Sequence, residues 1–212
     1  MAMRHLMQFG MVRRALEEEK VCGDAYFIKA FENKVLITVI DGLGHGPDAA
    51  VAANTAVAYI KSNYKKGLTD IIKGCHREMK ETRGAVIGIA LIDLKSSILR
   101  YTGVGNIAAI VKSRTMIRPN SLSGILGYNL SEVKEEEFPF NPGDLIILHS
   151  DGISNKLDLN LYPPEFFGQH PQVIVERVTA EFGSKSDDLC IVAAREDKRE
   201  TYGSGKEKDG QL

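Results

Sequence analysis

A short apolar run that ends abruptly in an aspartate constrains the fold of this chain more than any other feature. Residues 35–40 are mostly branched and aliphatic, and a glycine-rich turn with one histidine, residues 41–46, follows directly. Branched and aliphatic residues favour a buried β-strand. Pro47 then begins an alanine-rich segment typical of a helix. A buried strand that carries a carboxylate, Asp41, at its tip is a common way to build a metal or phosphate site.

The segment before this strand predicts a β-hairpin. Residues 24–31 begin with Asp24 and are mostly apolar, and residues 32–34 form a short polar turn into the second strand. In an antiparallel hairpin, the start of the first strand lies beside the end of the second. We therefore expect Asp24 and Asp41 to be neighbours at the end of the hairpin that lies away from its turn.

The order of the remaining patterns indicates an α+β fold. Apolar residues recur at helical spacing after Pro47 and again after Gly67, and strand patterns dominate from Gly84 onward. Such an order favours sheets that pack on each other with helices outside. With 212 residues and 43% hydrophobic content, the chain suits one domain. We assign residues 1–195 to that domain and residues 196–212, rich in Lys, Glu and Gly, to a disordered polar tail.

Composition excludes several functional classes. A formal net charge of -1 gives no reason to expect nucleic acid or an anionic membrane as a partner. No stretch approaches the ~20 apolar residues that span a bilayer, and the N-terminus has no pattern of a signal peptide. The cysteines, Cys22, Cys75 and Cys190, are far apart and odd in number. They predict buried thiols in a reducing cytoplasm rather than disulfides.

Aspartates recur where other apolar strands meet polar turns. Asp151 follows residues 145–148, and Asp187 and Asp188 precede the strand pattern of residues 189–194. A single aspartate in a turn is common, but the repetition indicates that the carboxylates share one edge of the fold. Crowded carboxylates repel and raise one another's pKa, and divalent cations remove that repulsion. Oxygen ligands suit Mg²⁺ or Mn²⁺, whereas the chain has no His and Cys cluster with the spacing of a zinc site.

Six short motifs occur in the order and rough spacing of a known family. They are Gly23-Asp24, Asp41-Gly42-x-Gly44-His45-Gly46, Arg83-Gly84-Ala85, Gly103-x-Gly105-Asn106, Ser150-Asp151-Gly152 and Asp187-Asp188. With them the chain resembles the metal-dependent PPM-type protein serine/threonine phosphatases, in particular the bacterial branch that includes SpoIIE, RsbU and RsbX. The resemblance covers residues 1–195. It implies a four-layer α-β-β-α sandwich of two mainly antiparallel sheets flanked by helix pairs, with two Mn²⁺ or Mg²⁺ ions in a cleft at one end.

The resemblance also implies which residues bind the metals. Asp41 would be catalytic by bridging both ions, and the carbonyl of Gly42 would bind one of them. Other carboxylates would complete the site, namely Asp24, Asp151 and Asp187. Asp188 would either support these ligands or replace Asp187 among them.

Two further roles stay open. His45 would be catalytic as the proton donor to the leaving serine oxygen, or it would be a structural histidine that only makes hydrogen bonds. Arg13 or Arg14 would contact the phosphate of the substrate, or the two would form a solvated pair.

The implied function is a protein serine/threonine phosphatase. It would hydrolyse phosphoserine or phosphothreonine on STAS-domain scaffold and switch proteins of the stressosome by attack of a metal-bridging water, and would thereby reset a bacterial stress response. A cytoplasmic monomer without nucleic-acid or membrane partners is expected. The alternatives are a phosphatase of an anti-sigma-factor antagonist, a catalytically silent module that binds a partner, and a Ca²⁺-stabilised structural domain. The last would gain stability from metal without any turnover.

Overall fold

The computed structural model describes residues 7–154 and 156–197. Within them the chain forms twelve strands, three α-helices and two 3₁₀ helices. The strands are β1 Met7–Arg14, β2 Asp24–Phe31, β3 Lys34–Gly42, β4 Ala85–Asp93, β5 Ile98–Val104, β6 Ala108–Lys112, β7 Met116–Ile117, β8 Gly124–Ile125, β9 Asn129–Leu130, β10 Glu136–Pro139, β11 Leu145–His149 and β12 Leu189–Glu196. The helices are α1 Gly46–Asn63, α2 Leu68–Glu78 and α3 Pro171–Phe182, with 3₁₀ helices at Leu159–Leu161 and Pro164–Gly168.

Ten of these strands form two five-stranded antiparallel sheets. One sheet has the order β1-β12-β11-β6-β7, and the other has the order β10-β5-β4-β3-β2. The predicted hairpin is β2 and β3, and its register pairs Asp24 directly with Asp41. The prediction that these two aspartates are neighbours is therefore confirmed. The short strands β8 and β9 pair with each other in the loop before β10.

Three apolar clusters separate four layers. The central cluster lies between the sheets and includes Ile37 of β3 and Val192 of β12. A second joins α1 and α2 to the outer face of the β2–β3 sheet, and a third joins α3 and the 3₁₀ helices to the other sheet. The α-β-β-α sandwich predicted from the sequence is therefore confirmed. One outer layer contains a helix pair, and the opposite layer combines α3 with the 3₁₀ helices.

Burial explains why some strands are apolar on both faces. In β4 every residue from Ala85 to Ile92 is buried, because the strand is central in its sheet and both faces of that sheet are covered. The last strand, β12, extends to Glu196, which is buried. The predicted polar tail begins at that residue, and its residues 198–212 lie outside the described part of the chain.

The cysteines are free and buried, as expected from their spacing. None of the helices within the described residues has the length and the apolar content that are needed to cross a membrane.

Candidate active site

The site is built at the end of the β2–β3 hairpin. Asp24 begins β2 and is 1% exposed, and Asp41 lies opposite it near the end of β3. Gly42 is buried next to the first turns of α1, where a Cβ atom would lie 2.1 Å from the carbonyl oxygen of Ala49. Since no side chain fits there, glycine is required for α1 to pack against the strand that carries Asp41.

The two paired carboxylates are electrostatically unfavourable as anions. Burial raises the pKa of Asp41 to about 8, and repulsion adds to this effect. The repelling carboxylates are those of Asp24, Asp151, Asp187 and Asp188. Burial likewise raises the pKa of Asp24 to about 7, although a hydrogen bond from Ser150 opposes the shift. A cation at this position would relieve the repulsion that both groups experience.

A third strand, β11, brings Asp151 to the site from the other sheet. Asp151 follows β11 and is exposed, and Asn106 Nδ2 donates a hydrogen bond to its Oδ2 at 2.8 Å. Asn106 stands in the turn between β5 and β6. Asn106 belongs to the motif Gly103-x-Gly105-Asn106 that contributes to the family resemblance, but the motif did not reveal that its amide orients an aspartate that is distant in sequence.

Asp187 and Asp188 precede β12 and have different environments. Asp188 is buried, and its two carboxylate oxygens accept hydrogen bonds from the backbone amides of Gly23 at 2.7 Å and Leu16 at 2.9 Å. Its carboxylate therefore fastens the loop between β1 and β2. Asp187 is partly exposed, and burial followed by repulsion from Asp151 raises its pKa.

Ser150 is a site residue that sequence reasoning did not single out, although it stands in the quoted Ser150-Asp151-Gly152 motif. Its hydroxyl donates a hydrogen bond to Asp24 Oδ2 at 2.6 Å and accepts one from the backbone amide of Cys190 at 2.9 Å. The preceding His149 is buried and donates Nδ1–H to the carbonyl oxygen of Ser150 at 2.9 Å. Burial lowers the pKa of His149, so this histidine is a neutral, packed residue at a strand end.

The two candidate arginines point to different places. Arg13 donates Nε–H to the carbonyl oxygen of Asp24 at 2.6 Å and an Nη2 hydrogen to that of Cys22 at 2.9 Å. Its guanidinium therefore lies against the backbone at the start of β2. Arg14 instead donates to the carbonyl oxygen of Ser184, in the loop after α3.

His45 lies at the start of α1 and pairs with an acidic residue. Its Nδ1 is 2.7 Å from Glu19 Oε1, and the imidazole is exposed. Glu19 belongs to the β1–β2 loop that Asp188 fastens. Sequence reasoning did not identify Glu19, because nothing in a run of three glutamates distinguishes the one that faces the histidine.

The atoms at this edge that could bind a metal ion are all oxygens. They are the carboxylates of Asp24, Asp41, Asp151 and Asp187 and the carbonyl of Gly42. Their arrangement is open. Across residues 7–154 and 156–197, no three His, Cys, Asp or Glu side chains lie close enough together to hold a metal ion by themselves. Any ion held here would complete its coordination with water.

Comparisons with known proteins agree on one family. The model of the family described as Stage II sporulation protein E (SpoIIE) matches residues 32–197. Phosphoserine phosphatase RsbX of Bacillus subtilis (strain 168) is 29% identical over 179 residues, which cover 83% of this chain and 88% of RsbX.

Solved structures have the same architecture. One, described as "The bacterial stressosome: a modular system that has been adapted to control secondary messenger signaling", has a TM-score of 0.83 and 34% identity over 90% of this chain and 100% of that chain. RsbX in complex with magnesium has a TM-score of 0.78 and 24% identity over 93% of this chain and 98% of its own, a likeness that shows the fold. Because the family model covers most of the chain and five of its six motifs, all but Gly23-Asp24, the chain belongs to the SpoIIE family of PP2C-type phosphatases and is a protein serine/threonine phosphatase.

Proposed function

We propose that the chain is a divalent-metal-dependent phosphatase that removes phosphate from serine or threonine on STAS-domain scaffold and switch proteins of the stressosome. In this role it would reset a stress response as a cytoplasmic monomer. The observation that carries the proposal is the pair of the buried Asp24 and the half-buried Asp41, which are adjacent in register and lie near further carboxylates. RsbX, a phosphoserine phosphatase, and the stressosome-related structure support the choice of substrate.

The donor set fits two Mn²⁺ or Mg²⁺ ions. Both are hard cations that take oxygen ligands, and Mg²⁺ usually keeps several waters while it binds one or two carboxylates. The open arrangement of carboxylates at this edge suits such partly hydrated ions. The solved RsbX structure is a complex with magnesium. The residues that would hold these ions are Asp24, Asp41, Asp151 and Asp187, together with the carbonyl of Gly42.

Bound Mn²⁺ or Mg²⁺ supplies charge stabilisation for the phosphoryl oxygens and makes a water acidic enough to attack at neutral pH. The residues of the chain position everything else. Ser150 orients the Asp24 carboxylate, and Asn106 orients that of Asp151. Arg13 is the better placed of the two candidate arginines for the substrate phosphate, because its guanidinium lies beside Asp24 while that of Arg14 bonds the loop after α3.

His45 would return a proton to the leaving serine oxygen. The contact between its Nδ1 and Glu19 fixes the imidazole with Nδ1–H directed at the carboxylate, which leaves Nε2 for the proton transfer. The competing role, a histidine that only holds the β1–β2 loop to α1, uses the same contact. The two roles differ in how the rate depends on the leaving group.

Phosphate release from phosphorylated STAS-domain proteins tests the proposal. We would incubate the wild-type chain, Asp41→Ala and Asp70→Ala with Mn²⁺ and phosphorylated scaffold or switch protein, with a phosphorylated anti-sigma-factor antagonist in parallel. Asp70 is an exposed aspartate of α2 and serves as the matched control. We expect release by the wild type and Asp70→Ala from the stressosome proteins, and a loss of at least ~10³-fold in Asp41→Ala.

Three outcomes would contradict parts of the proposal. Faster release from the anti-sigma-factor antagonist would identify that protein, rather than the stressosome proteins, as the preferred substrate. Equal release by Asp41→Ala would remove the assigned mechanism. A metal-dependent rise in melting temperature without any release would indicate a structural ion.

A further inference from the structure

A cleft of about 880 Å³ opens beside Asp151. On one side it is bounded by Asn106 and Asp151 of the active site, and on the other by the residues that follow α3. Arg118 and Lys156 stand in its walls. Arg118 also lines a second cleft of about 650 Å³, which continues past Arg114. The two clefts share Arg118, and we refer to the surface along both of them as the track.

The cations of this track lack partners among the residues that the structure describes. Arg114, Arg118 and Lys156 are exposed, and no hydrogen bond or ion pair of their side chains is formed with residues 7–154 or 156–197. Other exposed arginines differ in this respect: Arg83 is paired with Asp48, whereas Arg77 on α2 has no side-chain partner among the described residues. The track thus presents positive charge directly beside an acidic metal-binding edge.

Besides Asp151, which belongs to the active site, a second acidic side chain lines the cleft, that of Glu181, and it does not neutralise these cations. Glu181 accepts hydrogen bonds from Tyr162, which precedes α3, and from Arg177 within α3, so its carboxylate is already engaged. Its negative charge is therefore directed to other partners, and Arg118 and Lys156 remain available to a ligand.

We propose that this cleft binds the phosphorylated segment of the protein substrate, and that Arg118 and Lys156 select acidic residues beside the phosphoserine. The inference rests on the proposed function, since the cleft adjoins Asp151 and offers space for the residues next to a phosphoserine bound at that side of the site. Negative side chains there complement the free cations. Exposed charge pairs of this kind contribute modestly to affinity and more to association rate.

The test compares three substrates that differ only in what surrounds the phosphate. One is a phosphoserine peptide with Asp and Glu on both sides, the second is the same peptide with Asn and Gln instead, and the third is p-nitrophenyl phosphate. The variants are Arg118→Gln, Lys156→Gln and the double substitution. Arg77→Gln and Lys73→Gln are the matched controls, because both residues are exposed on α2 and have no side-chain partner among the described residues.

We expect the wild type to prefer the acidic peptide through a lower KM. Each single substitution should raise that KM about threefold and the double substitution about tenfold, with kcat nearly unchanged. Rates with p-nitrophenyl phosphate and with the neutral peptide should stay at the wild-type level, and so should both controls on every substrate. Added salt should raise the wild-type KM for the acidic peptide and affect the double variant less.

Two results would overturn the inference. An unchanged KM for the acidic peptide in the double variant would mean that its flanking residues lie elsewhere. An equal loss on p-nitrophenyl phosphate would mean that Arg118 or Lys156 acts on the transferred phosphate itself. Failure of the proposed function is distinct, because it would appear as a lack of release from the stressosome proteins, whereas this inference is read from the KM for the acidic peptide.

Discussion

The hydroxyl of Ser150 and the carboxylate of Asp24 are joined by a hydrogen bond of 2.6 Å that crosses from one sheet to the other. Ser150 follows β11, and Asp24 begins β2. The same hydroxyl accepts the backbone amide of Cys190 at the start of β12. One buried oxygen thus fixes a candidate metal ligand relative to the strands that deliver the other carboxylates.

Replacing Ser150 should weaken both metal binding and the fold. Ser150→Ala leaves the Cys190 amide and Asp24 without this partner, which should reduce the free energy of unfolding by about 1–3 kcal/mol. The Mn²⁺ concentration for half-maximal activity should rise about 10–100-fold, as for other groups that orient metal ligands. Thermal unfolding and a Mn²⁺ titration measure the two effects. Ser131→Ala is the control, because Ser131 makes its hydrogen bond at an exposed position; an unchanged titration in Ser150→Ala would refute the orienting role.

The metal-free protein should lose stability as the pH rises. The pKa of Asp24 is raised to about 7 and that of Asp41 to about 8, whereas unfolded aspartate titrates near ~3.9. Between these limits the folded protein binds more protons than the unfolded chain, so the contribution to stability is complete below about pH 4 and is lost as the pH rises through about 7 to 8. We expect a loss on the order of 2 kcal/mol between pH 6 and pH 9, or about 4–8 °C in Tm.

Thermal unfolding in EDTA, with and without a return of Mn²⁺, measures this dependence. Metal should flatten or reverse the trend, because the ion binds the deprotonated carboxylates. Asp41→Asn should raise the Tm of the metal-free protein at pH 9 and reduce its pH dependence. A Tm of the metal-free wild type that rises from pH 6 to pH 9 would contradict the assignment.

Asp187 and Asp188, which precede β12, should have different roles: Asp187 should be a metal ligand, and Asp188 should be a structural residue. Asp188→Asn keeps the shape of the side chain but removes one of the acceptors used by Leu16 and Gly23, so it should destabilise the protein by about 1–3 kcal/mol even in EDTA. Asp187→Asn should leave that stability unchanged or raise it slightly. It should also weaken Mn²⁺ binding, so that a higher Mn²⁺ concentration is needed for half-maximal activity. Parallel melting curves and metal titrations of the two variants measure this. The reverse pattern would make Asp188 the ligand.

The role of His45 is tested by how the effect of its replacement on the rate depends on the leaving group. If His45 donates a proton, His45→Ala should reduce hydrolysis of alkyl phosphates such as phosphoserine peptides by about 10²–10⁴-fold, and that of p-nitrophenyl phosphate far less, since nitrophenolate leaves without a proton. Glu19→Gln should show the same trend at a smaller magnitude. Single-turnover rates over a series of leaving groups provide the measurement. An equal loss across the series would assign His45 a structural role.

The sequence predicted those parts of the site that depend on local patterns. Asp24 and Asp41 were placed together because a hairpin with a short turn allows one register, and that register needs only residues 24–41. The partners of the carboxylates were not predictable in this way. Ser150 and Asp24 are 126 residues apart, and Asn106 and Asp151 are 45 apart. Such contacts are set by the order of strands in the two sheets, which local periodicity does not encode.

The link between Asp188 and the β1–β2 loop has a consequence for biosynthesis. Leu16 and Asp188 are 172 residues apart, and the strands next to them, β1 and β12, pair along their whole length. While the chain is being made, β1 has no neighbour in its sheet and the loop that carries Glu19 lacks the anchor that Asp188 provides. The carboxylate edge can therefore be completed only after β12 has left the ribosome. We expect folding dominated by this late, long-range closure, so that a nascent chain cannot act on its substrate before synthesis has reached the last strand.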